Sequence, residues 1–118
     1  MSWYAASIVV CVKFMDGEQD SYPLWENVVL IEASSENEAF RKAELIGKES
    51  DGDEFYWEDR SAVWEFSGIR KLLSIDTGEE DGSIIDGTEV TFSQMLLDSK
   101  SDLKKFIDGD EVSVIYEK

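Results

Sequence analysis

The chain has 118 residues, of which 27 are acidic and 11 basic, giving a formal net charge of −16, and it contains no histidine. Lack of imidazole excludes Ser–His and Cys–His catalysis and removes the commonest metal ligand. The acidic balance excludes nucleic acid and an anionic membrane as partners and favours a basic protein.

The elements follow a consistent pattern from the N-terminus. Trp3 to Phe14 alternates with period two: Tyr4, Ala6, Ile8, Val10, Val12 and Phe14 share one face. The opposite face is also largely apolar, which predicts a central strand covered on both sides. After an acidic turn region that opens at Asp16-Gly17, Trp25 to Ala33 reads as a second strand, paired antiparallel with the first. Ser35 to Gly47 is a helix: Ser35 and Glu38 have capping-box spacing, and Ala39, Phe40, Ala43, Ile46 and Gly47 form one stripe. Gly47 is expected to end it in a left-handed conformation.

Phe55 to Glu58 reads as a short strand and Ser61 to Ile75 as a long one. Ala62, Trp64 and Phe66 lie at one parity and Ile69, Leu73 and Ile75 at the other, which predicts a single one-residue shift at Gly68. A strand with Thr88, Val90, Phe92 and Leu96 on a common face follows Asp86-Gly87. A helix from Ser99 to Asp108 buries Leu103, Phe106 and Ile107 and stops at Gly109. A strand from Glu111 to Tyr116 completes the order β-β-α-β-β-α-β. The expected class is α+β, one domain over residues 1–118, with a mainly antiparallel sheet of five or six strands and both helices on one face. Four Trp, four Tyr and six Phe suffice for its core.

Cys11, the single cysteine, lies in an apolar run and reads as a small buried residue. The N-terminal residues lack a leader pattern and no apolar stretch reaches about 18 residues, so a reducing cytoplasm is the expected compartment.

The negative charge is concentrated. Residues 49–60 carry −5 and residues 76–90 carry −6, flanking the long strand. If both are displayed together on a rigid scaffold, they form a surface for a basic protein, as in an immunity protein that neutralises a cationic toxin. The residues expected to make it are Asp51, Asp53, Glu54, Trp57, Glu58, Asp59, Glu79, Glu80, Asp81 and Asp86. The plainer alternative is that acidic loops keep the protein soluble while Phe55, Tyr56 and Trp57 turn their rings inward. Arg70-Lys71 reads as an internal counter-charge for these loops.

No zinc spacing, phosphate loop or nucleophile elbow is present. Asp51-Gly52-Asp53 and Asp76 to Gly82 depart from the EF-hand pattern, and no metal or other cofactor is expected. A carboxylate or oxygen-ligand metal enzyme is a second reading, with Glu26 and Glu65 beside tryptophans as a conceivable acid pair. A third is a structural homo-oligomer formed through an open sheet edge. Monomer and dimer are both compatible with the sequence.

Trp3-Tyr4-Ala5-Ala6, the run from Glu26 to Ala33 leading into Ser35 to Phe40, Val63-Trp64-Glu65-Phe66 and Gly87-Thr88-Glu89-Val90 resemble a bacterial family, domain of unknown function 4288, over about residues 3–97. The resemblance implies a small stand-alone protein. It supplies no activity and no functional residues. The unit after Asp98 would be a variant ending.

Overall fold

The computed structural model describes residues 1–117. Strands β1 (Ser2–Phe14), β2 (Leu24–Ala33), β3 (Glu54–Trp57) and β4 (Arg60–Ser74) form a four-stranded antiparallel sheet in the order β2-β1-β4-β3. Helix α1 (Glu36–Gly47) follows β2. Strands β5 (Gln94–Leu96) and β6 (Ile115–Glu117) make a separate two-stranded ribbon, joined through helix α2 (Lys100–Asp108).

The alternation of β1 places it at the centre, as its composition predicts. Its even-numbered side chains face α1. There Ala6, Ile31, Ala33, Ala39 and Ala43 form the core, with Tyr4, Val29, Ile69 and Leu72 against it. Four of those five residues are alanines, so the helix backbone lies close to the sheet. Ser35 caps α1 by accepting from the Glu38 amide at 3.1 Å, and Glu38 returns to the Ser34 amide and hydroxyl.

Gly47 has a role other than the one its type suggests. It keeps helical geometry, and the C-cap is Lys48 in the right-handed region. A Cβ at residue 47 would stand 2.5 Å from the Phe66 ring and 3.0 Å from Ile8. This glycine therefore provides close approach rather than a left-handed turn.

β4 departs from the expectation in an informative way. Pairing with β1 skips a residue between Phe66 and Gly68 and again between Ile69 and Lys71. The first shift is the one predicted near Gly68, which adopts φ 148°. The second, at Arg70, reverses it. Ile69 and Leu72 stay on the helix side, but Leu73 opposite Ala5 and Ile75 beside Trp3 fall on the other face.

Beyond β4 the single-sheet expectation fails. Residues 88–93 form no ladder, β5 begins only at Gln94, and the last strand is Ile115–Glu117 rather than 111–116. Helix α2 has the predicted Ser99 cap and the left-handed Gly109 stop, but no buried residue. Leu103, Phe106 and Ile107 are all exposed, so only α1 covers the four-stranded sheet. An amphipathic stripe shows that a helix wants a cover; it does not say that the sheet will supply it.

Candidate functional site

The sheet order dictates where the acidic segments go. Residues 51–59 run along the N-terminal half of β4: Gly52 donates to the Trp64 carbonyl, Trp64 donates to the Asp53 carbonyl, and Glu54 to Trp57 pair with Val63 to Arg60. Residues 76–89 leave from the other end of β4, where Ser74 lies opposite Tyr4. The chain returns beside Lys71, which donates to the Phe92 carbonyl. The part of β4 from Ser67 to Ser74 separates the near ends of the two segments, roughly 25 Å of strand, and the far end of the first lies a further half-strand away. The expected single acidic surface is therefore two poles. Asp51, Asp53, Glu54, Trp57, Glu58 and Asp59 gather at one, and Glu79, Glu80, Asp81 and Asp86 at the other.

Among the described residues, none of these nine carboxylates is in an ion pair. The five pairs present are Lys13–Glu65, Lys42–Glu38, Arg60–Asp16, Arg70–Glu26 and Lys104–Asp108. Two of the nine accept hydrogen bonds, one from β4 and one within its own loop. Asp51 accepts the Phe66 amide at 2.8 Å. Asp81 accepts from the Ser83 hydroxyl and amide, which holds its carboxyl below the usual aspartate range. The others make no side-chain hydrogen bond among the described residues.

The first pole has a partner feature that the second lacks. β2 and β3 are the two edges of the sheet, yet their tryptophans meet. Trp25 stands edge-on to Trp57, with ring centres 5.5 Å apart, and to Trp64 at 5.1 Å; Phe55 stacks on Trp64 at 4.5 Å. Register explains this: Trp25 lies opposite Val10, Trp64 opposite Val12 and Phe55 opposite Ala62, all on the face that α1 covers further along. Beyond the C-terminal end of α1, that face is roofed by these four rings instead. Phe55, Trp57 and Trp64 are half-buried and Trp25 is 41% exposed. Tyr56, on the opposite face, is 77% exposed. Thus two of the three consecutive aromatics turn inward, as the plainer reading expects, and one does not. The sequence reading missed Trp25 and Trp64 as members of this surface, because only the pairing register brings residues 25, 57 and 64 together.

The turn that ends this pole is strained. Glu58 and Asp59 form the two-residue loop between β3 and β4, with φ of 47° and 66°. Such loops favour Asn-Gly, since both central residues are left-handed. Two consecutive acids in that position cost about 1 kcal/mol or more in backbone strain. The loop is anchored by the next residue: Arg60 stacks on Phe14, bonds the Asp16 carboxylate and donates to the Asp16 and Glu18 carbonyls.

The conceivable acid pair is engaged elsewhere. Glu26 is held by Arg70 at 3.4 Å and Glu65 lies 3.7 Å from Lys13. No three carboxylates or thiols among the described residues converge as a metal site. Cys11 is half-buried rather than enclosed, and no described helix is long and apolar enough to cross a membrane.

These features define a small α+β sheet protein with one helix-covered half and one half roofed by aromatic side chains. The sequence profile of the domain of unknown function DUF4288 matches residues 3–90, about three-quarters of the chain, and the chain belongs to that family. The match stops short of β5, α2 and β6, the part that stands apart from the four-stranded sheet. No curated protein and no solved structure matches the chain.

Proposed function

We propose that the protein is a non-catalytic binding module that engages a basic protein through the β3 pole. The observation that carries this is that the unpaired carboxylates of Asp53, Glu54, Glu58 and Asp59 stand at the same end of the sheet as the Trp25–Trp57–Trp64–Phe55 cluster. Carboxylates without internal counter-ions steer a cationic partner toward the edge and raise its association rate. Half-exposed indoles supply contact area with little conformational entropy to lose, and their faces accept Lys or Arg side chains. The second pole, lacking an aromatic neighbour of this kind, contributes only long-range attraction. An immunity-type role, holding a cationic toxin, is one form that such binding takes.

The test is capture of partners on the immobilised protein, run beside Trp57→Ala and the combined Glu54→Gln, Glu58→Gln, Asp59→Asn variant. A partner held by this surface is lost on both variants and released between about 0.05 and 0.5 M salt, as screening shortens the reach of the field. Recovery that is equal on all three proteins and indifferent to salt would place binding elsewhere.

A further inference from the structure

From the register of β3 we infer that the basic partner docks as an extended segment, adding a strand to the free edge of β3 and laying an arginine between Glu54 and Tyr56. The inference rests on the proposed β3 partner surface and names the segment that occupies it.

The backbone supplies the edge. β3 is an outer strand of the sheet. The two-residue loop at Glu58-Asp59 makes Trp57 and Arg60 a hydrogen-bonded pair, so Phe55 and Ala62 form the next one. The Trp64 amide, which donates to the Asp53 carbonyl at 3.0 Å, continues the same phase. Glu54 and Tyr56 occupy the alternate positions, so their two amides and two carbonyls point away from β4. An extended partner segment pairs with that row, and the main chain supplies affinity.

The side chains at the same two positions build a notch on the face opposite the indoles. Ser61 pairs with Tyr56, and the Met15 amide donates to the Ser61 carbonyl at 2.9 Å. Met15, Ser61 and Tyr56 therefore form one row across three strands. The short serine between two long side chains leaves a hollow, which Glu54 and Phe55 complete. Tyr56 is 77% exposed and Met15 56%, so both walls are accessible. Lys13 lies in the cross-strand row of Glu54, through Val63, but its ammonium is turned to Glu65.

This chemistry selects arginine. A guanidinium forks onto a carboxylate and lies flat on a tyrosine ring, while its methylene stem packs against the methionine. Strand alternation then sets the neighbouring partner residues on the other face, against Phe55 and Trp57, where β-branched side chains pack well. Charge directs the segment to this edge rather than to β2. Residues 49–60 carry −5, whereas Glu26 on β2 is already held by Arg70.

Titration of the full chain with a short blocked peptide alternating arginine and threonine, followed by calorimetry and amide exchange, tests this. At saturation the Glu54 and Tyr56 amides should exchange about tenfold more slowly, while Phe55 and Trp57, already bonded to β4, change little. One of the two alternately N-methylated forms of the peptide, and not both, should bind about tenfold more weakly, because only one row of its amides faces β3. Tyr56→Pro removes an outward amide without breaking the β4 ladder. With its fold checked by circular dichroism, it should lose more affinity than Tyr56→Thr, and Glu54→Gln should also bind more weakly. Binding that is lost on the combined Glu54→Gln, Glu58→Gln, Asp59→Asn variant, yet indifferent to N-methylation and without protection of Glu54 and Tyr56, would overturn strand addition and leave the acidic edge standing. Binding indifferent to the combined variant as well would overturn both.

Discussion

The guanidinium of Arg70 lies 4.1 Å from the centre of the Tyr116 ring. Its other face of contact is Glu26, 3.4 Å away on β2. Arg70 is the extra residue of the second β4 bulge, so a backbone irregularity aims one cation at both the sheet and the C-terminal ribbon. Lys71, next in sequence, bonds Phe92 and Ser93. The pair is thus a clasp between the two sheets rather than a counter-charge for the acidic loops.

Arg70→Ala should loosen that clasp while leaving the four-stranded sheet folded. The lost stacking is worth about 0.5–1 kcal/mol at an exposed site. Residues 94–117 should open roughly two- to fivefold more often. Limited proteolysis and amide exchange of that segment, compared with β1, would report it.

Replacing Glu58-Asp59 by Asn-Gly should relieve the left-handed strain and stabilise the hairpin. The expected gain is about 1 kcal/mol, or roughly 4–6 °C in melting temperature. The same change deletes two carboxylates from the proposed binding edge. Thermal denaturation and partner capture should therefore move in opposite directions.

Gly47→Ala should destabilise the protein although alanine is the better helix former. Its Cβ meets Phe66 and Ile8 in the helix–sheet contact. Overfilling of this kind costs about 1–3 kcal/mol. Pairing it with Phe66→Leu should recover part of the loss, measurable by urea denaturation.

Glu38 gives a pH signature. Hydrogen bonds from the Ser34 hydroxyl and amide, then from Lys42, hold its carboxyl below the ordinary glutamate value. A depressed folded value contributes stability above the unfolded pKa, and that contribution is lost as pH falls through the folded one. Wild type should therefore exceed Glu38→Gln in stability near neutrality, with the gap closing in acid. A constant gap across pH would show that the carboxylate's charge is immaterial to the cap.

Local pattern made much of this legible. The alternation of β1, the Ser35 cap, the Ser99 cap and Gly109 stop, and a shift near Gly68 all follow from chain-local chemistry. The bulge at Arg70 was hidden because parity alone cannot tell which face Leu73 and Ile75 take once the strand has shifted a first time. The fate of residues 88–93 was hidden because an alternating run is a strand only if an edge accepts it. The aromatic roof was hidden for a related reason: Trp25 and Trp57 meet across the full width of the sheet, over Val10 and Val12, through a register that no single segment contains.

Titration of the isotopically labelled protein with an oligoarginine peptide, followed by amide and indole N–H shifts, separates an aromatic-acid binding edge from simple charge attraction. Shifts should concentrate at residues 51–59 and at the indoles of Trp25, Trp57 and Trp64, and should shrink in high salt. Equal movement of residues 79–86, with the three indoles unmoved, would contradict a binding edge at β3.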